Sequence, residues 1–143
     1  MRTILAVVTL GVLVGCNDST APAAPPNIAG TWDMTVDITL SSNTCHEAAQ
    51  LVLSQTDSVA FTGYSQTWAE TCSSGVTDTV PRQDMSGTVT RANAVTFTDN
   101  DHGTGSPIAT FTGTLANGTS ISGAVTSAQT NNPFTGTWKA TKR

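Results

Sequence analysis

The chain has 143 residues, a formal net charge of −4, and only 11% charged against 38% apolar side chains. That length suits one domain plus a short leader, and the acidic balance argues against nucleic acid or anionic lipid as a partner. Two histidines are too few for a histidine-rich zinc site without carboxylate help.

The first element is an apolar run from Ile4 to Val14 behind Met1-Arg2, ending in Leu13-Val14-Gly15-Cys16. It is far shorter than the roughly 20 residues a spanning helix needs, and it fits the apolar region of a cleaved export signal. The run and its terminal cysteine resemble a bacterial lipoprotein signal. The resemblance implies that residues 1–15 are removed and that the Cys16 thiol carries diacylglycerol, with further acylation of the new N-terminus. Several acyl chains on one residue anchor stably, since each buried methylene contributes about 0.8 kcal/mol. By the same resemblance, Asn17 after the cysteine favours sorting to the outer membrane, so the expected location is the cell envelope, facing the periplasm or the cell surface. Loss of Arg2 with the signal leaves five basic and ten acidic residues, a formal net charge of −5. Residues 16–27, with Ala21-Pro22-Ala23-Ala24-Pro25-Pro26, then read as an extended, solvated tether.

From residue 28 to residue 143 a single β-domain is expected. Ile28, Gly30, Trp32, Met34, Val36, Ile38 and Leu40 alternate with Ala29, Thr31, Asp33, Thr35, Asp37 and Thr39, a period of two that no helix produces. The 27 threonines suit strands whose outer faces are hydroxylic rather than ionic. Eight strands are predicted, at about 28–40, 49–55, 59–69, 84–90, 94–99, 108–115, 119–127 and 134–142. Links 56–58, 91–93 and 116–118 are short, and Asn117-Gly118 is a hairpin-turn signal. The links between them are longer, so an up-and-down meander places tight turns at one end and long loops at the other. First and last strands would then run antiparallel and close the sheet.

An apolar-small-glycine pattern recurs, as in Phe61-Thr62-Gly63, Met85-Ser86-Gly87, Phe111-Thr112-Gly113, Ile121-Ser122-Gly123 and Phe134-Thr135-Gly136. In a strand it puts glycine on the buried face, which points to a bend or a close backbone approach where a sheet curls. An all-β, eight-stranded antiparallel up-and-down barrel is therefore expected. Trp32, Trp138, Phe61, Phe97, Phe111, Phe134, Met34 and Met85 fall on its inner face.

Gly30-Thr31-Trp32 at the start of the first strand resembles the Gly-x-Trp signature of lipocalins and the wider calycin barrels, which include avidin-like proteins. The resemblance implies that Trp32 helps close the narrow end of the barrel against a basic residue late in the last strand, Lys142 or Arg143. The lipocalin Thr-Asp-Tyr motif and the biotin-contacting pattern of avidins are absent.

Cys45 and Cys72, each assigned to a loop, are expected to pair in an oxidising compartment. Closing that loop stabilises by roughly 3–4 kcal/mol in the chain-entropy treatment. A Cys45–His46 nucleophile pair is the sharper alternative, but sequence adjacency does not supply its geometry. Asp99, Asp101 and His102 form either a cation-holding turn or a plain polar turn. Asn117-Gly118-Thr119 matches a glycosylation sequon, which the turn explains better. No cofactor motif, metal set or recognisable nucleophile motif appears, so an enzyme is not expected. Two functions stay open: a lipocalin-like barrel binding a small apolar ligand at the long-loop end, through Trp68, Glu70, His46 and His102, or a filled barrel that contacts an envelope protein.

Overall fold

The computed structural model describes residues 23–41 and 43–143. The export signal, Cys16 and the first part of the tether lie outside the described residues. Ten strands follow one another: β1 (Gly30–Leu40), β2 (Asn43–Gln55), β3 (Ala60–Ser65), β4 (Trp68–Cys72), β5 (Thr77–Val80), β6 (Gln83–Val89), β7 (Ala94–Asp101), β8 (Pro107–Ala116), β9 (Ser120–Ser127) and β10 (Thr135–Lys142). Eight of them close into an antiparallel ring in the order β1-β10-β9-β8-β7-β6-β3-β2, with β2 returning to β1. β1 therefore hydrogen-bonds on both sides, and the expected first-to-last pairing aligns Trp32 with Lys142 and Val36 with Trp138.

The departures from expectation concentrate between residues 41 and 83. The second strand starts at Asn43 rather than near residue 49, and only a tight turn at Ser41, with φ of 53°, separates it from β1. The long loop expected there does not exist. Its alternation was disguised, because the inner-face positions Cys45, Glu47 and Ala49 include a carboxylate. The loop expected over 70–83 is a second hairpin, β4–β5, which prolongs β3 and β6 beyond a kink. β2 pairs with β3 through Leu51↔Ser65 and with β4 through Ala48↔Ala69, so the β3–β4 strand carries one extra residue at Gln66-Thr67. Such a bulge bends the strand and resets which side chains face in. Ser65 and Trp68, three apart, both point inward. Pro81 sits in the matching break between β5 and β6, where it has no ladder hydrogen bond to donate. Cys45 and Cys72 do form a disulfide, but as register partners on β2 and β4 rather than on loops.

Tight turns 56–59, 90–93 and 117–119 lie at one end of the barrel. The β4–β5 turn, loops 102–106 and 128–134, and the β1–β2 turn lie at the other. At the tight-turn end the chain enters through Ile28, fully buried, whose backbone oxygen accepts from Trp32 Nε1 at 2.9 Å and whose N–H donates to Gln55 Oε1 at 2.9 Å. Above this plug Phe97 and Phe111 stack at 4.5 Å, and Trp138 stands edge-on to both at 5.3 and 5.7 Å. Such pairs add to the free energy of burial itself. The lower barrel is thus filled by its own side chains.

The recurring glycines make that closure fit. A Cβ at Gly123 would overlap the Thr112 carbonyl oxygen, one at Gly136 the Asp37 carbonyl oxygen, and one at Gly113 would come within 2.9 Å of the Trp138 ring. The inner face is as crowded there as the sequence pattern implied. Gly123→Ala is expected to destabilise the fold by about 1–3 kcal/mol, as overpacking does. Gly103→Ala, whose nearest neighbour would be Asp101 Oδ1 at 3.5 Å, should stay within about 0.5 kcal/mol of the parent. Urea midpoints of the two variants check the contrast.

Candidate functional site

The filled half ends at Phe111 and Val125, and above them the interior opens into a cavity of about 230 Å³ toward the long-loop end. Val36 and Ile38 of β1, Val80 of β5 and Phe134 of the last long loop supply apolar wall. Trp68 of β4 supplies an indole that is 2% exposed, with its Nε1 donating to the buried Ser65 hydroxyl at 2.6 Å.

Three carboxyl groups and two amides line this apolar space: Glu47 of β2, Glu70 of β4, Asp99 of β7, Gln83 of β6 and Asn132 of the last long loop. Glu47 and Glu70 face one another as register partners across β2 and β4. Asp99, 3% exposed, sits beside Met85 on one flank and Ala109 on the other. With the Gln83 amide nitrogen turned toward it, Gln83 Nε2 donates to the Asp99 carboxylate. Burial is the main reason that Glu47 is pushed up to about 7, and the Glu70 carboxylate adds to the rise against a smaller opposing pull from His46. Burial likewise lifts Asp99 to about 8, helped by Glu47 and slightly by Asp84, against a backbone hydrogen bond from Asn100. Both effects favour the neutral acid, as desolvation and like charge must.

Among the described residues no basic side chain lines the cavity. Among the described residues the ion pairs all lie on the outer surface: His46–Asp37, Arg82–Asp84, His102–Asp84 and Arg143–Asp33.

Of the residues singled out from sequence, Trp68 and Glu70 meet in the cavity, and His46 and His102 do not. His46 is on the outer wall, its Nδ1 2.7 Å from Asp37 Oδ1, and His102 Nδ1 lies 2.7 Å from Asp84 Oδ2. The His102 hydrogen bond is the main cause holding Asp84 below the usual carboxylate range. Asp99, Asp101 and His102 do not converge on a cation. Asp101 Oδ1 instead accepts from the Gly103 and Thr104 N–H groups at 3.0 and 2.7 Å and closes a polar turn. Cys45, Glu70 and Cys72 place their donor atoms within 4.8 Å of one another, but the disulfide leaves no thiolate to hold a metal. At the opposite end Lys142 Nζ lies 5.6 Å from the Trp32 ring centroid, and Arg143 Nε contacts both Asp33 oxygens at 2.9 Å. Glu47 and Gln83 escaped the sequence reading. The alternation Cys45, Glu47, Ala49, Leu51, Leu53 was the available signal for Glu47. The kink before Gln83 erased any such signal there.

No protein-family model matches the chain, and no curated protein is similar enough to count as a relative. Among solved structures it is similar to a redesigned β-barrel, mFAP1, bound to DFHBI, with 17% identity and a TM-score of 0.53 over 81% of this chain and 94% of that one. EF1p2_mFAP2b bound to DFHBI gives 15% identity and a TM-score of 0.54 over the same shares. These likenesses establish a closed antiparallel β-barrel fold.

The raised carboxyls carry a stability consequence. Unfolded Asp and Glu titrate near 4, so between about pH 4 and 8 the folded chain binds more protons than the unfolded chain, and stability falls as pH rises. The lowered groups Asp57, Asp84 and Asp101 act in the opposite sense, below about pH 4. The midpoint of thermal unfolding should therefore be higher at pH 5 than at pH 8.5 (both about, set by the window above). Asp99→Asn should flatten that slope.

Proposed function

We propose that this chain is a lipid-anchored bacterial envelope protein whose barrel binds one small ligand in the cavity at its long-loop end. The reading rests on the cavity: an apolar space of about 230 Å³ into which a few polar groups converge, the arrangement small-ligand sites generally have. The open upper half favours this reading over a filled module that contacts an envelope protein. An engineered apolar cavity of about 150 Å³ holds one benzene, whereas drug-sized ligands occupy roughly 300–1,000 Å³. The part of a ligand that this space encloses is accordingly about one ring with a short arm. That two barrels of the same fold are bound to DFHBI supports the view that this architecture can carry a bound ligand.

Membrane attachment rests on the resemblance of Leu13-Val14-Gly15-Cys16 to a lipoprotein signal. The tether joins the barrel at Ile28, at the tight-turn end, so an anchored molecule presents the cavity mouth away from the membrane. Binding rather than catalysis is the favoured activity, since Cys45 is held in the disulfide and His46 points outward.

Titration of the full chain with one-ring aromatic probes should change tryptophan emission saturably. Val125→Phe, which fills the floor of the cavity, should abolish the response, and Trp68→Ala should weaken it more than any change at the Trp32 end. A linear, unsaturable response in the parent chain would refute the cavity as a binding site. Separately, Cys16→Ala should leave an uncut precursor without lipid, as read by mass spectrometry of the membrane fraction.

A further inference from the structure

Resting on the cavity reading, we propose that the ligand is a cation: an organic ammonium whose apolar body is about one aromatic ring, its charge seated among Glu47, Glu70 and Asp99. The floor and walls, Val36, Val125, Phe111 and Phe134, offer no hydrogen bonds and select the apolar body. The charge preference comes from an imbalance. Three carboxyls from three separate strands line one cavity, and among the described residues every basic side chain stays outside it.

A structural role for the acids is hard to sustain. Burying a carboxyl without a counter-charge costs free energy, and replacing it with an apolar residue would usually be neutral or stabilising. The sheet does not need them either, because all strand pairings use backbone groups and the disulfide already fixes β4 to β2. Glu47 has no hydrogen-bonding side chain among the described residues. Asp99 has only the Gln83 amide and the Asn100 N–H, neither of which carries a charge to balance its own. An ammonium supplies what is missing: positive charge and up to three N–H donors. The same acids repel fatty acids, phosphates and other anions. A bare divalent cation would use the carboxylates but leave the apolar walls without a role, so it is the less suited occupant.

Charge selection has a proton linkage. Glu47 is faced by Glu70 and Asp99, with His46 beside it on the outer wall, and Asp99 is faced by Glu47, with Asp84 behind it on β6. Burial first, and like charge second, therefore hold the site partly protonated near neutrality, and an entering cation displaces protons. Affinity for a permanently charged ammonium should rise with pH across this range.

Isothermal titration calorimetry of the full chain with phenethylamine, phenyltrimethylammonium and neutral phenethyl alcohol tests this. At a pH of about 8, above the value to which Glu47 is raised and near that of Asp99, both cations should bind about tenfold or more tightly than the alcohol, the ratio that one charge-assisted contact supplies. Phenyltrimethylammonium should bind more weakly at a pH of about 6. Glu47→Gln with Asp99→Asn should remove the cation preference while leaving alcohol binding intact. Glu47→Gln alone, at the less enclosed acid, should reduce it and guards against a double variant that fails to fold. Equal binding of alcohol and cations, indifferent to the variants, overturns the cation proposal and leaves the cavity reading standing. Binding of calcium or zinc chloride with the same carboxyl dependence, but of neither ammonium, overturns it in favour of a metal site. No binding of any probe refutes the cavity reading itself.

Discussion

β1 is the strand on which the architecture depends, because it pairs with β2 on one edge and β10 on the other and so turns a sheet into a closed barrel. Closure demands that neighbouring strands bend and approach closely, and the inner face of β3, β6, β8, β9 and β10 carries glycine where that approach is tightest. Any side chain at Gly123 or Gly136 would occupy the place of a backbone carbonyl on the paired strand. The weakness glycine brings to a strand is accepted because curvature satisfies every edge except that of the short β4–β5 hairpin.

The closed barrel has two unlike halves. Near the tether, Ile28, Trp32 and the Phe97–Phe111–Trp138 cluster fill the space and account for most of the aromatic burial. Toward the long loops, the inner positions pass to smaller or polar residues: Glu47, Gln83, Asp99 and Ala109. The cavity lies where that change in side-chain volume occurs. Stability and ligand binding are thereby assigned to different ends of one scaffold.

The β4–β5 hairpin deepens the open half. It brings Trp68, Glu70 and Val80 to the cavity, yet it pairs only with β2 on one side, and β5 has no strand partner beyond it among the described residues. The Cys45–Cys72 disulfide compensates for that missing edge by tying the hairpin to the long, fully paired β2. The bond is thus a brace for the cavity wall as well as a loop closure.

The period-two alternation from Ile28 to Leu40, the repeated inward glycines and the tight-turn signals at 56–58, 91–93 and 116–118 were enough to indicate a closed, eight-stranded, up-and-down barrel. Each of these is a local pattern, and backbone geometry converts it directly into a face, a bend or a direction. The pairing of Cys45 with Cys72 was legible for a similar reason, an even pair in an exported chain. What the sequence could not decide was which polar residues face in. Glu47 reads as surface until its register against Val36 and Glu70 is known. The inward turn of Trp68 depends on one extra residue at Gln66-Thr67, visible only as a register shift between β2–β3 and β2–β4. Asp99 reads as part of a polar turn until β7 is seen to continue through it. His46 and His102, attractive in the linear chain, are claimed by Asp37 and Asp84 on the outer wall. Alternation assigns a residue to one of two faces, but a single bulge exchanges the faces, and the shared space among β2, β4 and β7 exists only once the sheet has closed.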